Sequence, residues 1–426
     1  MGMQIRAFGR SDLGRVRESN EDNMVIECPP LPPVGLFVVA DGVGGHKHGE
    51  IASKMFVDGV QERLRASADA FARYRLDCDR EMRDELLHLL EKVVDQAGCS
   101  IYKASQDHAQ LQGMCTTGVV VVMVDQGVFI AHAGDSRAYL VRGDQTYQLT
   151  EDHTLANRFL KDGLINREDL PNFPFTNVLT RSFGSSPHID IDTLFVQTEA
   201  GDRFILCSDG LHNYIEGEEL LTMSKGCADG RQFVEQLISA ANERGGEDNI
   251  TVALVEVTSQ EEAKAPTVDL NRQIIFLRSL FLFREFNDQE LLRVMRIIYT
   301  ERRARGDVII KEGTEGNELY ILIEGQVDVT LEGEHLVTLG PGAHFGELAL
   351  IDNTTRSASV SARTEATLLT IVRADFNRLI YEDQVLAVKL LWSFLQNVGG
   401  RVRELSIEVK NLNQQLAGFR TFMNRT

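Results

Sequence analysis

Residues 36–46 read LFVVADGVGGH: five apolar residues run up to Asp41, and the chain then breaks into glycines at 42, 44 and 45. A short apolar, β-branched run bounded by glycine is a strand whose faces are both covered. An acid at its last position escapes the core only by pointing out of the sheet's end. The same form recurs in FIAHAGD (129–135) and FILCSD (204–209), and NITVALVEV (249–257) begins just after Asp248. One such Asp is a turn residue or a helix cap. Several at strand ends describe a common cleft, and ESNEDN (18–23) and GGEDNI (245–250) bring Glu-Asp-Asn to it twice. Between the strands, Ile51 to Leu64 is a helical stretch, and Leu86, Leu87, Leu90, Val93, Val94, Ala97 and Ile101 recur at the three- and four-residue spacing of one buried helix face.

The chain has 426 residues, 43 % of them hydrophobic and 25 % charged, enough for two cores. A formal net charge of −19 repels phosphate backbones and argues against nucleic-acid or acidic-membrane partners. With no N-terminal apolar leader and no run of eighteen apolar residues, a cytoplasmic location is expected. The six cysteines, at 28, 78, 99, 115, 207 and 227, lack CxxC or zinc spacing and are expected to be reduced thiols.

TSQEEAKAPTVDLNR (258–272) is polar, charged and carries a proline, so 259–272 is expected to be a linker after a first domain at 1–258. Beyond it GQVDVTLEG (325–333) alternates Val327, Val329 and Leu331 with polar residues, and short strands recur to about Val372. A small β-roll flanked by helices is expected over 273–395. In the last stretch, 396–426, Val402, Leu405, Val409, Leu412, Leu416 and Phe419 step by three and four, the seam of a short coiled coil that can join a homodimer or, as the alternative, a face that docks onto the chain's own surface. Trp392, the only tryptophan, is expected in the core, the alternative being a lid over a bound base.

Hard divalent cations want oxygen donors, so carboxylates and a glycine-freed carbonyl such as Gly42 suit Mg2+ or Mn2+. Two such ions can activate water and clamp a phosphoryl group. At this point the sequence resembles a family. RESNEDN (17–23), VADGVGGH (39–46), CTTGVVVVMV (115–124), AHAGDSRAYLVR (131–142), LTEDHTL (149–155), LTRSFG (179–184), LCSDGL (206–211) and EDNITVALVEV (247–257) are similar, in order, to the motifs of protein phosphatase 2C-like, metal-dependent Ser/Thr phosphatases of bacterial and eukaryotic type. The resemblance implies an α+β fold, a two-sheet β-sandwich flanked by helices, which strand and helix patterns alone do not separate from a doubly wound sheet. It further implies that Asp41 bridges two metals together with the Gly42 carbonyl. Asp22, Asp209 and Asp248 are implied as further ligands, Glu21 as a supporting acid and Asp135 as a ligand of a third ion. Arg17 would grip the substrate phosphate and Asn249 would lie near the metal water or substrate. The position after the first Asp-Gly, a His in eukaryotic members, is Val43, which leaves His46 as the candidate general acid; Asp152 and His153 are expected to be structural.

FGELALIDNTTRSASV (345–360) resembles the phosphate-binding cassette of cyclic-nucleotide-binding domains, and GDVIIKEGTEGNELYILIEGQVDV (306–329) the strands before it. The resemblance implies a short helix near Gly346 directing N–H groups at a phosphate, with Glu347, Leu348 and Ala349 in it. Arg356 would neutralise the cyclic phosphate, Glu347 would bond a ribose hydroxyl, and Ser357 would stand beside the Arg, with cAMP and cGMP both open. The leading expectation is a phosphoserine/phosphothreonine phosphatase using two or three Mn2+ or Mg2+ ions, acting by direct attack of metal-activated water on a phosphoprotein and regulated by cyclic nucleotide. The alternative is a nucleotide-sensing scaffold with a spent phosphatase domain.

Overall fold

The computed structural model describes residues 4–28, 35–43, 48–74, 80–125, 127–215, 217–259, 270–351, 355–383 and 385–393, with scattered positions to 410. The chain divides into two compact units, Met1–Thr267 and Val268–Thr426.

In chain order the first unit runs β1 (Gln4–Asp12), β2 (Asp22–Glu27), β3 (Gly35–Val43), α1 (Gly49–Ala72), α2 (Arg80–Asp107), β4 (Cys115–Thr116), β5 (Gly118–Val124), β6 (Gly127–Ala133), β7 (Arg137–Arg142), β8 (Gln145–Gln148), α3 (Leu155–Lys161), β9 (Asp192–Gln197), β10 (Arg203–Cys207), α4 (Asp209–His212), α5 (Gly217–Gly226), α6 (Gly230–Glu243) and β11 (Ile250–Ser259). One sheet has the order β2-β3-β5-β6-β9, with β4 paired to the end of β3; the other has the order β1-β11-β10-β7-β8. Neighbouring strands are antiparallel throughout.

Side-chain alternation sets the layers. Leu36, Val38 and Ala40 of β3, with Val120, Val122, Phe129 and Ala131, pack against Ala52, Phe56 and Val60 of α1 and Leu90, Val94 and Ala97 of α2. The opposite faces carry Phe37, Val39, Val119, Val121 and Ile130, which are also fully buried. Their cover is the second sheet, whose Phe204, Leu206, Ala253 and Val255 point inward, while Ile205, Val252 and Leu254 pack on Phe233 and Leu237 of α6. The unit is therefore a two-sheet sandwich with helices outside both sheets. β5 (GVVVVMV) and β6 (GVFIAHA) are buried at every residue, which is why they read as continuous apolar runs. Each Val, Leu, Ile or Phe so enclosed contributes about 1.5–3 kcal/mol.

The same alternation places Asp41. It shares its face with Phe37 and Val39, so it points into the space between the sheets, at the sandwich's end, and Asp22 lies directly opposite it in register. Cys207 of β10 pairs with Val252 of β11 and with Arg137 of β7, so Asp209, Asp248 and Asp135 leave their strands at neighbouring places.

The second unit contains α7 (Leu270–Ser279), α8 (Asp288–Arg296), β12 (Ile298–Arg303), β13 (Val308–Ile310), β14 (Glu318–Glu324), β15 (Val327–Leu331), β16 (Glu334–Leu339), β17 (His344–Phe345), α9 (Leu348–Ile351), β18 (Ser359–Ala362), β19 (Ala366–Val372) and α10 (Arg373–Glu382). Two four-stranded antiparallel sheets, β12-β19-β14-β17 and β13-β18-β15-β16, enclose Leu322, Val327, Phe345, Val360 and Leu368. This is the expected β-roll with helices before and after it. Two expectations change. α7 begins at Leu270, inside the stretch read as linker, because Leu270, Ile274 and Leu277 supply a helical apolar spacing that the polar prefix hides. Trp392 is 60 % exposed and is no core residue.

Candidate active site

The end of β3 is fixed by backbone bonds before any side chain is considered. The Asp41 carbonyl accepts from Thr117 N at 2.8 Å and from Thr116 Oγ1 at 2.7 Å, and Asp41 N donates to Thr117 Oγ1 at 3.1 Å. Gly42 N donates to the Glu21 carbonyl at 3.1 Å, which draws the acidic loop onto the strand end. Ser53 of α1 donates to that same carbonyl. A Cβ on Gly42 would come within 2.2 Å of the Gly49 carbonyl, and one on Gly49 within 2.5 Å of a Glu21 carboxylate oxygen. Glycine is thus required at both positions by close approach, and three oxygen-bearing groups crowd together there.

Around this corner the carboxylates converge. Asp22 is buried, and Ser208 Oγ, itself fully enclosed, donates to its Oδ2 at 2.7 Å. Asp209 opens α4; its Oδ1 is buried without a partner, while Asn213 Nδ2 donates to its Oδ2 at 3.4 Å. Burial, then the charges of Asp22, Asp209, Asp135 and Asp248, hold the Asp41 carboxyl well above the usual carboxylate range. Asp22 is pushed up to about 7, by burial first, with Asp209 and Asp248 adding to it against bonds from Thr251 and Ser208. Asp135 is pushed up to about 8 by burial and then by Asp209 and Asp152. Burial and Asp248 raise Asp209, and burial and Glu50 raise Glu21.

The structure therefore brings together Glu21, Asp22, Asp41, Gly42, Asp135, Asp209 and Asp248. This donor set is all oxygen and holds one orphaned buried carboxylate oxygen, a chemistry that fits hard divalent cations. Arg17 reaches the cluster as well, its Nη2 donating to Asp248 Oδ2 at 2.7 Å. Asn249 Oδ1 accepts from Glu21 N at 2.8 Å and its Nδ2 donates to the Leu13 and Ser19 carbonyls at 3.0 Å each, so its amide is engaged by backbone beside the cluster. His153 Nδ1 accepts from Gly134 N at 3.2 Å and Asp152 makes a two-pronged pair with Arg137, both steadying the turn that carries Asp135. His46 lies outside the described residues.

Sequence reasoning missed Ser208, Thr116, Thr117, Ser53 and Gly49. Ser208 had a signal: it shares its face with Phe204 and Leu206, so alternation alone aims it between the sheets. His212 was missed too; its Nε2 meets the Asp135 carbonyl at 2.9 Å, and burial pushes it down to about 4, so it is neutral at pH 7.

In the second unit Gly346 adopts φ +80°, and Arg356, 8 % exposed, is threaded between glycines: a Cβ on Gly316 would meet its Nε at 2.0 Å and one on Gly346 its Nη1 at 2.5 Å. Nη2 donates to the Glu318 carbonyl at 2.9 Å and carboxylate at 3.0 Å, and Nη1 to the Gly346 carbonyl at 3.3 Å. Gly346, Glu347 and Ala349 thus stand with Arg356 at one corner, with α9 a single turn and Ser357 exposed beside the Arg. The Leu348 side chain lies outside the described residues.

The comparisons with known proteins match both units. The family model described as protein phosphatase 2C matches residues 20–255, and that of the cyclic nucleotide-binding domain matches 300–383. The serine/threonine phosphatase stp of Listeria innocua is 38 % identical over 253 residues, 59 % of this chain and 96 % of that protein. Protein phosphatase PhpP of Streptococcus pneumoniae is 36 % identical over 251 residues, 59 % of this chain and 97 % of that one. The solved S. agalactiae serine/threonine phosphatase superposes with a TM-score of 0.52 at 31 % identity, covering 60 % of this chain and all of that one.

Two outcomes follow from the site's electrostatics. A carboxyl whose folded pKa is raised contributes stability that is complete below its unfolded value and lost as pH rises through its folded value. With Asp22 near 7 and Asp135 near 8, thermal melting in EDTA should fall by roughly 5 °C or more between pH 5 and 8, and Mn2+ should restore it at pH 8; a flat profile contradicts the clustering. Ser208→Ala removes the donor that orients Asp22 and should weaken Mn2+ affinity by about 10- to 100-fold in a folded chain; unchanged affinity by titration calorimetry would refute that role.

Proposed function

This chain belongs to the protein phosphatase 2C family and is a serine/threonine protein phosphatase with a C-terminal cyclic-nucleotide-binding domain, and from that premise we propose that it hydrolyses phosphoserine and phosphothreonine with two or more Mn2+ or Mg2+ ions under cyclic-nucleotide control. The observation that carries the metal part is the position of Asp41, directly opposite Asp22 in register at the sheet end where Asp209, Asp248 and Asp135 leave their strands. Divalent cations held there supply the Lewis acidity that activates water for attack on phosphorus. The protein's own residues do the positioning that phosphoryl transfer demands. Asp22, Asp41, Asp209 and Asp248, the Gly42 carbonyl, and Asp135 for a further ion hold the cations, with Glu21 supporting. Ser208 keeps Asp22 turned inward. Asn249 acts as a positioning residue for the 13–21 loop. Arg17, whose Nη2 donates to Asp248, would present its planar fork to the substrate phosphate. We assign the proton for the leaving oxygen to His46.

Control requires that the nucleotide bind one state of the protein better than another. Arg356 supports a phosphate ligand, since a buried guanidinium with five N–H donors can keep its Glu318 bonds and still accept an anion. Ser357 leaves cAMP and cGMP both eligible. With a phosphothreonine peptide and Mn2+, turnover is expected, Asp209→Asn should lower it by more than about 100-fold, and cAMP or cGMP should change kcat/KM by about five-fold or more, a change that Arg356→Gln abolishes. Metal-independent turnover would end the metal assignment, and rates indifferent to both nucleotides would end the regulatory one.

We also assign a homodimer contact to the helix after Asp383. Val388, Leu391 and Leu395 are 65, 53 and 65 % exposed at spacings of three and four, in phase with Val402, Leu405 and Val409 of the sequence. Val409 is 55 % exposed; Val402, Leu405, Leu412, Leu416 and Phe419 lie outside the described residues. Sedimentation equilibrium should give twice 47.6 kDa, and Leu391→Glu with Leu395→Glu should halve it; a wild-type monomer refutes the contact.

A further inference from the structure

Leu13 to Arg17 form a loop clamped onto the strand end that carries Asp248. Arg15 N donates to the Gly246 carbonyl at 2.7 Å, and Asn249 Nδ2 holds the Leu13 carbonyl. Gly14, at φ +80°, lies so close that a Cβ would stand 2.2 Å from the Asp248 carbonyl. The loop ends in Arg17 on the Asp248 carboxylate. Its backbone is thus fixed against the metal-binding side, while its side chains face solvent: Leu13 is 41 % and Val16 65 % exposed, two of the five large exposed hydrophobics described in the first unit. Arg15 is exposed and its guanidinium has no hydrogen-bond or ion partner among the described residues. Arg17 has its charge balanced by Asp248, but Arg15 does not, and Glu18 is the only acid within the run 13–19.

An unpaired guanidinium between two exposed apolar side chains, two residues from the phosphate-gripping Arg, is suited to a peptide that carries a second negative group. We propose that Arg15 is a specificity-determining residue: it pairs with a carboxylate or second phosphate within two positions of the substrate's phosphorylated Ser or Thr, while Leu13 and Val16 cover the intervening peptide. This rests on the phosphatase reading above and names its substrate class. The molecule as a whole is strongly acidic, so a cationic residue beside the cleft is also what lets an acidic segment approach it.

The test compares kcat/KM of the full chain with Mn2+ on phosphothreonine peptides that differ only in flanking residues, Asp, phosphotyrosine or Asn on either side, phosphotyrosine being a second phosphate that the proposed Ser/Thr activity leaves in place. p-Nitrophenyl phosphate, which has no flanks, serves as reference. Acid-flanked peptides should exceed the Asn-flanked one by about five-fold, whichever acid shows the larger gain naming the group read. Arg15→Gln should erase that ratio, Arg15→Glu should invert it and Arg15→Lys should retain part of it. A wild type without preference, or a ratio that survives Arg15→Gln, overturns the inference. A wild type idle on p-nitrophenyl phosphate overturns the phosphatase reading and the inference with it.

Discussion

Everything in the first unit answers to the mutual repulsion of carboxylates confined at one end of two packed sheets. Asp41 is sunk among Asp22, Asp135, Asp209 and Asp248, an arrangement that left ionised would be strongly unfavourable in a low-dielectric corner. The fold tolerates it because the backbone there is held on several sides. Thr116 and Thr117 fasten β3, Ser208 turns Asp22 inward, and Asn249 ties the 13–21 loop to β11. Burial and mutual repulsion raise the pKa values of Asp22, Asp41, Asp135 and Asp209, and the same all-oxygen chemistry suits dications.

The two units solve opposite problems with the same device. The first gathers carboxylates; the second buries a cation, Arg356, and offsets its burial with Glu318 and two carbonyls. In both, glycine makes the close approach feasible, Gly42 and Gly49 at the carboxylates and Gly316 and Gly346 along the guanidinium. A single β-carbon at any of these would collide with a functional group.

Most of the acidic cluster was legible because acids at strand ends are conspicuous, and Asp41, Asp209 and Asp248 each sit beside an apolar run. The fold class was not legible from pattern alone. β5 and β6 are buried on both faces, so they show no alternation, and a sandwich covered by helices yields the same continuous apolar strands as a doubly wound sheet. Ser208 and Thr117 escaped notice because each acts through a hydroxyl hydrogen bond to a residue far away in sequence. The backbone bonds of the Asn249 amide are not legible in the sequence, because composition cannot tell which partners an amide will find. Trp392 is exposed against expectation because helix phase alone does not say which face is covered.

The most direct test of the account is the number of Mn2+ ions bound per chain at pH 7, counted by equilibrium dialysis on wild type and on a folded Asp41→Asn variant. The account predicts at least two ions on the wild type and a loss of that tight binding in the variant. Equal stoichiometry in both, or no Mn2+ bound by the wild type, would contradict it.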